Sequence, residues 1–330
     1  MRDLRIVDVA RAAEVSTATV SHALNGTGRV SASTRARVVE VAAALGYRRI
    51  GATRTIGLGV TTYGARVWDF TKVAYFRELI SASLGAVHAS GYSLTIVPAG
   101  VGADYWTDLA LDGAVLIDSP TRDPVARSLA RRRVPLSLLG APPLDPDAGD
   151  TTARVVTNHD DAAATGMVLD HLAAAGARRI ALIAGPTADH YTSTIISAYQ
   201  RWCAERGQRP AVIPALRDGT GIAGVVEALL TGADRPDAFY GVYDDCGRAV
   251  LAAAEACGLR VPEDLLLACA SEDPGYARTS PPVTTVSLAP RRSARDAVTG
   301  LVDLLRGTGA RPPSTVPAVL VERASSRRVR

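Results

Sequence analysis

Along the first fifty residues apolar side chains recur at helical spacing. Val7, Ala10 and Ala13 fall on one face of a segment near 6–13, the periodicity of an amphipathic helix. Glu14-Val15 turns the chain. Ser16 is then a natural N-cap for a second helix over 17–24, because its hydroxyl can accept from an otherwise orphaned backbone N–H. Asn25-Gly26 closes that helix, since both residues tolerate the left-handed conformation common at helix ends. A third helix is introduced by Ser31-Ala32-Ser33-Thr34, continues through Val38, Val41, Ala42 and Leu45, and stops at Gly46. Val9, Val15, Val20, Leu24, Val30, Val38 and Leu45 are enough for one small core.

From Ile56 onward the pattern changes to short β-branched or apolar runs alternating with alanine-rich amphipathic stretches. Strands are predicted over 56–60, 93–97, 114–117, 136–139, 180–184, 211–213, 238–242 and 265–269. Helices fit between and after them, over 75–89, 123–132, 160–175, 194–206, 221–230, 247–257 and 291–306. Repeated strand–helix alternation predicts α/β architecture with doubly wound parallel sheets, and the length calls for two such lobes. The polar, Pro-rich stretch 142–150 lies where one lobe would end.

Composition narrows the class. The 330 residues are 47% hydrophobic and 21% charged, enough to bury a sizeable core. No apolar run approaches the ~18 residues of a membrane span, and Met1-Arg2-Asp3-Leu4-Arg5 alternates charge instead of leading into an apolar signal segment. The expectation is a soluble, cytoplasmic protein with no membrane partner. The four cysteines, Cys203, Cys246, Cys257 and Cys269, show no C-x-x-C pair and read as buried free thiols, with no metal site. Lys72 is the single lysine, so arginine abundance reflects composition and is no evidence for a nucleic-acid partner. The distribution of charge is more telling. Residues 1–50 hold eight arginines against Asp3, Asp8, Glu14 and Glu40, while acid and base balance over the rest. The whole excess of +4 therefore sits in the segment expected to face a polyanion.

A helix, a tight turn and a second helix opening with small hydroxyl residues is the geometry that lays the second helix into a DNA major groove. Its outward side chains, Thr17, Ala18, Ser21, His22 and Asn25, can bond base edges or phosphates or touch a thymine methyl. In the lobes, C-terminal strand ends face the crevice where ligands bind in doubly wound sheets. That nominates 61–63, Asp118, 185–191, Tyr243, Asp244 and Glu272, with Tyr75-Phe76 at the start of a helix on the same cleft. Enzyme readings fare poorly, and no catalytic residue or cofactor is expected. Gly57-Leu58-Gly59-Val60-Thr61-Thr62 lacks the third glycine of a dinucleotide loop and the helix start directly after it. Asp189-His190 reads as a loop, and Asp160 of His159-Asp160-Asp161 as a helix start.

The run Asp8-Val9-Ala10-Arg11-Ala12-Ala13-Glu14-Val15-Ser16-Thr17-Ala18-Thr19-Val20-Ser21-His22-Ala23-Leu24-Asn25-Gly26, followed by Val30-Ser31, Thr34-Arg35 and Leu45-Gly46-Tyr47, resembles the headpiece of the LacI/GalR family of bacterial repressors. Ile56-Gly57-Leu58, Asp112-Gly113, 176–181, 258–264 and 281–286 resemble that family's effector domain. The resemblance implies a helix-turn-helix headpiece over 1–48, a linker over 49–55, and a periplasmic-binding-protein-like domain over 56–330. Lobe one would take about 56–157 plus 289–318, and lobe two about 158–288 plus 319–330. It implies a homodimeric, sequence-specific regulator, a repressor, that binds a roughly palindromic operator and closes on a small effector, a sugar or related metabolite. The implied DNA-binding set is Ser16, Thr17, Ala18, Thr19, Ser21, His22, Asn25, Ser31, Thr34 and Arg35; the effector set is Tyr63, Tyr75, Phe76, Asp118, Tyr191, Ile195, Tyr243, Asp244 and Glu272.

The chain departs from the family pattern in three respects. His22 stands where the family usually has arginine. Only 48–55 lie between Tyr47 and Ile56, roughly two helical turns shorter than usual, which predicts that the family's minor-groove leucine wedge is absent or replaced by arginine contacts. Ile195 stands where sugar-binding relatives usually carry arginine, Tyr243 replaces an asparagine, and Glu272 replaces an aspartate. A ligand-sensing or binding protein whose headpiece lacks specific operator binding is the alternative; weak, steeply salt-dependent DNA binding would mark it.

Overall fold

The computed structural model describes residues 6–25, 28–45, 54–62, 68–140, 154–185, 189–215, 222–309 and 312–328. The N-terminal unit is three helices, α1 (Ile6–Ala12), α2 (Thr17–Asn25) and α3 (Ala32–Leu45). Their core is Val9, Ala10, Ala13, Val20, Ala23, Val38 and Ala42, flanked by Ile6, Val15, Leu24, Val30 and Val41. Leu45, expected in this core, is the last residue of α3 and is 38% exposed. The linker over 49–55 lies mostly outside the described residues.

The remainder forms two lobes. The first contains β1 (Thr55–Val60), α4 (Ala74–Ala89), β2 (Ser93–Ile96), α5 (Ala103–Asp108), β3 (Gly113–Ile117), α6 (Pro124–Arg131), β4 (Leu136–Leu139) and β5 (Arg154–His159). The second contains α7 (Asp161–Ala174), β6 (Ile180–Ala184), α8 (His190–Glu205), β7 (Ala211–Pro214), α9 (Ile222–Leu230), β8 (Ala238–Gly241), α10 (Cys246–Ala256), β9 (Leu266–Ala270) and β10 (Thr284–Ser287). The chain then returns through α11 (Pro290–Arg306), which packs on α4, β3, β4 and β5, to β11 (Ser314–Val316) and crosses back to β12 (Val319–Val321).

The strand orders are β11-β5-β4-β3-β1-β2 and β12-β10-β9-β8-β6-β7. All described pairings are parallel except β10 with β12. Strands β3, β6 and β9 are buried along their whole length, as expected of apolar runs covered by helices on both faces. In each sheet the first strand lies between the second and third, so the order reverses beside it and opens a crevice at the C-terminal strand ends.

The structure corrects two expectations. Strands β5, β10, β11 and β12 and helix α5 were not anticipated from the periodicity. The Pro-rich stretch 142–150, itself outside the described residues, does not end a lobe, because β4 before it pairs with β5 after it in one sheet. Among the described residues no helix is long and apolar enough to cross a membrane.

Candidate functional site

In the headpiece, Ser16 Oγ accepts from Thr19 N at 3.0 Å and fixes the start of α2. Ser31 does the same for α3, accepting from Thr34 N at 3.1 Å. Val20 and Ala23 turn inward, which leaves Thr17, Ala18 and His22 exposed and Ser21 half-buried on the opposite face. Ser31 is exposed, while Thr19, Thr34 and Arg35 are half-buried. Ser16, Thr19, Ser31 and Thr34 therefore combine surface position with capping bonds. His22 also packs against Gly28: a Cβ built there would lie 2.8 Å from the imidazole Cγ, and Gly28 holds a positive φ of 73°. The side chain of Asn25 lies outside the described residues.

The second site is a cavity between the lobes, enclosing about 640 Å³ with its open mouth included. Strand ends supply Asp118 after β3, Gly140 after β4, His159 from β5, Tyr243 and Asp244 after β8, Ser271 and Glu272 after β9, and Leu288 after β10. Helix starts supply Tyr75 and Phe76 from α4, Asp161 from α7 and Tyr191 from α8.

Its first-lobe wall is aromatic. Trp68, Phe70 and Phe76 meet edge-on at 5.6–6.0 Å, and Tyr75 stands edge-on to both Phe76 and His159, the arrangement ring quadrupoles favour. His159 Nε2 pairs with Ser293 Oγ at 2.9 Å. Burial disfavours its charged form and pushes its pKa down to about 4, so the ring is neutral at pH 7. Asp118 is buried with φ 53°, and its Oδ1 fills the space a Cβ on Gly140 would need, 2.6 Å away.

The second-lobe wall is held by hydrogen bonds. Tyr243 Oη accepts from Gly185 N at 2.9 Å and lies 3.0 Å from Thr192 Oγ1. Tyr191 Oη donates to Val242 O at 3.0 Å. Both Glu272 oxygens accept from Ser287 Oγ, and Oε1 also accepts from Leu288 N at 2.8 Å. Asp244 accepts from Ser271 Oγ and, across the cleft, from Ala74 N at 2.6 Å. Ala74 is the first residue of α4, and Val73 before it has no capping side chain. A carboxylate of one lobe thus caps a helix of the other, where the helix dipole favours negative charge. Burial pushes both carboxyls, Asp244 and Glu272, above the usual range, opposed by these hydrogen bonds.

Seven of the nine nominated effector residues line this cavity: Tyr75, Phe76, Asp118, Tyr191, Tyr243, Asp244 and Glu272. Ile195 does not. It is 2% exposed and packs into the second-lobe core on the buried stripe of α8 with Thr192, Tyr199 and Trp202. Tyr63 lies outside the described residues. Val73, Gly140, His159, Asp161, Val242, Ala270, Ser271, Val286 and Leu288 also line the cavity and were not nominated.

The other chemical candidates resolve into packing and capping. Asp189 caps α8 by accepting from Thr192 N, and Asp160 caps α7 by accepting from Ala163 N. Gly57 and Gly59 make room for Trp106: Cβ atoms there would approach its ring to 3.0 and 2.7 Å. Cys203, Cys246 and Cys269 are buried and Cys257 half-buried.

Comparison with known proteins matches both parts of the chain. Residues 5–49 match the bacterial regulatory proteins of the lacI family, and residues 169–326 match the periplasmic binding protein-like domain. The chain is 27% identical to the HTH-type transcriptional regulator CelR of Thermobifida fusca, with 92% of each chain covered. It is 24% identical to the lactose operon repressor of Escherichia coli, covering 99% of this chain and 91% of that one. Among solved structures, a transcriptional regulator CelR–cellobiose complex superposes with a TM-score of 0.71 at 24% identity, covering 98% and 99% of the two chains. The lac repressor dimer bound to operator and an anti-inducer gives 0.69 at 21% identity, covering 99% and 100%. With a lacI-type headpiece, two lobes of periplasmic-binding-protein type and relatives of the same kind along nearly its whole length, the chain belongs to the LacI family of DNA-binding transcriptional regulators.

Proposed function

We propose that the protein is an operator-binding transcriptional repressor that acts as a homodimer in the cytoplasm and is controlled by a small molecule held between its lobes. Residues 1–48 bind DNA, 49–55 connect, and 56–330 bind effector and dimerise, with lobe boundaries near 157, 288 and 318. The observation that carries this reading is the exposed polar face of α2, held by the Ser16 cap, on a headpiece of lacI type. Thr17, Ala18, Ser21 and His22 meet base edges, while Ser16, Thr19, Ser31, Thr34 and Arg35 sit nearer the backbone. A histidine cannot make the bidentate guanine contact of an arginine, so the half-site differs from those of arginine-bearing relatives. Ligand in the cavity favours one relative orientation of the lobes and so changes the fit of two headpieces to half-sites about one helical turn apart.

Selection of binding sites from random-sequence DNA by the full-length protein at physiological salt tests this. An enriched palindrome is expected. Folded protein that binds weakly, with steep salt dependence and no enriched sequence, with or without cavity ligands, overturns it in favour of a ligand-binding protein with a non-specific headpiece.

A further inference from the structure

We infer that Gly28 is a specificity-determining residue of the headpiece that acts through His22, holding the imidazole in the one orientation from which it meets a base edge. This rests on the reading of the headpiece as an operator-binding unit. His22 lies in the last turn of α2 and is exposed, while its neighbour Ala23 turns into the core. Gly28 lies in the connection between α2 and α3. A Cβ built on it would stand 2.8 Å from Cγ, 2.9 Å from Nδ1 and 3.3 Å from Cβ of His22, well inside van der Waals separation. The imidazole therefore rests on the bare backbone of Gly28 through its Cγ–Nδ1 edge. Nε2, at the opposite vertex of the ring, is directed away from that backbone.

Two separate demands meet at this position. Gly28 holds a φ of 73°, a conformation that asparagine also tolerates, so the backbone alone does not require glycine. The imidazole does, because only a hydrogen at this point leaves it room. The floor under the ring is itself fixed from the α3 side. Val30 N donates to Gly28 O at 3.2 Å, and Ser31 Oγ caps α3 by accepting from Thr34 N. A side chain at position 28 is therefore met by turning the exposed ring, a smaller change than moving the capped connection.

Ring orientation decides what a histidine can read. A guanidinium presents its donors in a fork that meets guanine bidentately, whereas an imidazole offers one bond per nitrogen. The direction of that bond selects the base, and an exposed ring that can turn about χ1 and χ2 spreads it over several. Holding the ring before DNA arrives also removes its ordering cost from binding. Gly28 thus preorganises the readout at one base position, while phosphate contacts elsewhere set affinity without regard to sequence.

The test is the base preference at each half-site position, measured with the full-length protein on single-base variants of the palindrome that the unmodified protein enriches. His22→Ala identifies the position that His22 reads. Gly28→Asn tolerates the positive φ but brings a Cβ. It is expected to reduce the preference at that same position about fivefold or more and to change other positions by less than about twofold. The salt dependence of binding, which follows the number of phosphate contacts, is expected to stay the same. In the His22→Ala background Gly28→Asn is expected to add little at that position. A merely structural role would instead lower affinity at every position alike, in both backgrounds. Uniform weakening, an intact preference in Gly28→Asn, relaxation at a position other than that of His22→Ala, or no position relaxed by His22→Ala each overturns the inference and leaves the operator-binding reading standing. If Gly28→Asn does not fold, nuclear Overhauser contacts between the His22 ring and the Gly28 α-protons decide, in unmodified protein labelled at histidine and glycine: their presence supports the inference and their absence overturns it. An unmodified protein that enriches no palindrome overturns the operator-binding reading, and this inference with it.

Discussion

The two walls of the inter-lobe cavity are built on sheets of matching strand order but hold their shape by different means. In the first lobe, rings pack edge-on from Trp68 through Phe70 and Phe76 to Tyr75 and His159. In the second, Tyr243, Ser271 and Glu272 are tied to backbone and hydroxyl groups of neighbouring elements. Ring packing tolerates small slides, because dispersion and quadrupole contacts vary gently with position. Hydrogen bonds to buried carboxylates do not, because a donor or acceptor left bare in the interior costs more than the bond contributes. The second wall is therefore the fixed reference, and the first is the one able to adjust to a ligand.

The largest expected effect comes from disturbing the fixed wall at its backbone. A Cβ on Gly241, at the end of β8, would lie 2.2 Å from the Cβ of Cys246, the first residue of α10. That contact is with a helix whose position the strand sets, so Gly241→Ala must displace α10 and with it Tyr243 and Asp244. A loss of about 3 kcal/mol or more is expected in urea unfolding. The same change in the first lobe is milder. A Cβ on Gly59 meets the Trp106 ring at 2.7 Å and Val97 O at 3.0 Å, and the ring has some freedom to shift. Gly59→Ala is expected to cost about 2 kcal/mol, and equal losses at the two sites would contradict the distinction between the walls.

Acid separates the walls next. The folded pKa of His159, about 4, lies below its unfolded value near 6.5. Between those pH values the unfolded chain binds a proton that the native chain refuses. Stability therefore falls as pH is lowered through the window, by at most about 3 kcal/mol, and levels off below pH 4 for this group. Asp244 and Glu272 act in the opposite sense. Their raised pKa values mean that the native chain keeps protons the unfolded chain has released, so on acidification they contribute a gain. Unfolding midpoints from pH 7 to 4 should flatten in His159→Asn and show a steeper acid loss in Glu272→Gln. An unchanged slope in His159→Asn would mean that the first wall carries a charge after all.

The same contrast explains what the sequence made legible. The headpiece could be read because its cues are local: Ser16 precedes the helix it caps, and the core pairs Val9 and Ala13, Val20 and Ala23, and Val38 and Ala42 fall three or four residues apart. The fixed wall was also largely visible, since Tyr243, Asp244 and Glu272 follow strands with long buried runs. Half of the adjustable wall was hidden with β5. That strand follows a proline-rich stretch, mixes Asn158 and His159 into its end, and pairs with β11 from far along the chain. Without β5 there was no strand end to nominate His159 or Asp161. Short β10, just behind Pro281-Pro282, similarly hid Val286 and Leu288. Ile195 failed for another reason. Its nomination came from position in a family pattern, whereas the spacing of Thr192, Ile195, Tyr199 and Trp202 marks the buried stripe of α8.

The smallest stability effect concerns the bond that joins the walls, yet it bears most directly on control. Asp244 Oδ2 caps α4 from the opposite lobe, where Val73 offers no cap of its own. Asp244→Ala removes that acceptor and the one for Ser271, and the loss of a cap of this kind costs about 1 kcal/mol. Asp244→Asn keeps one acceptor and can donate to Ser271, so it should lose less. The informative readout is the relative position of the lobes. Small-angle scattering of ligand-free Asp244→Ala is expected to show a larger radius of gyration, with Asp244→Asn close to the unmodified protein. If the alanine variant scatters identically, the lobes are held by their three chain crossings, and the trans-lobe cap only trims the end of α4. If it expands, a single carboxylate links the adjustable wall to the fixed one. A ligand that competes for Asp244 then opens the cleft, and one that bridges it to the rings of α4 closes it.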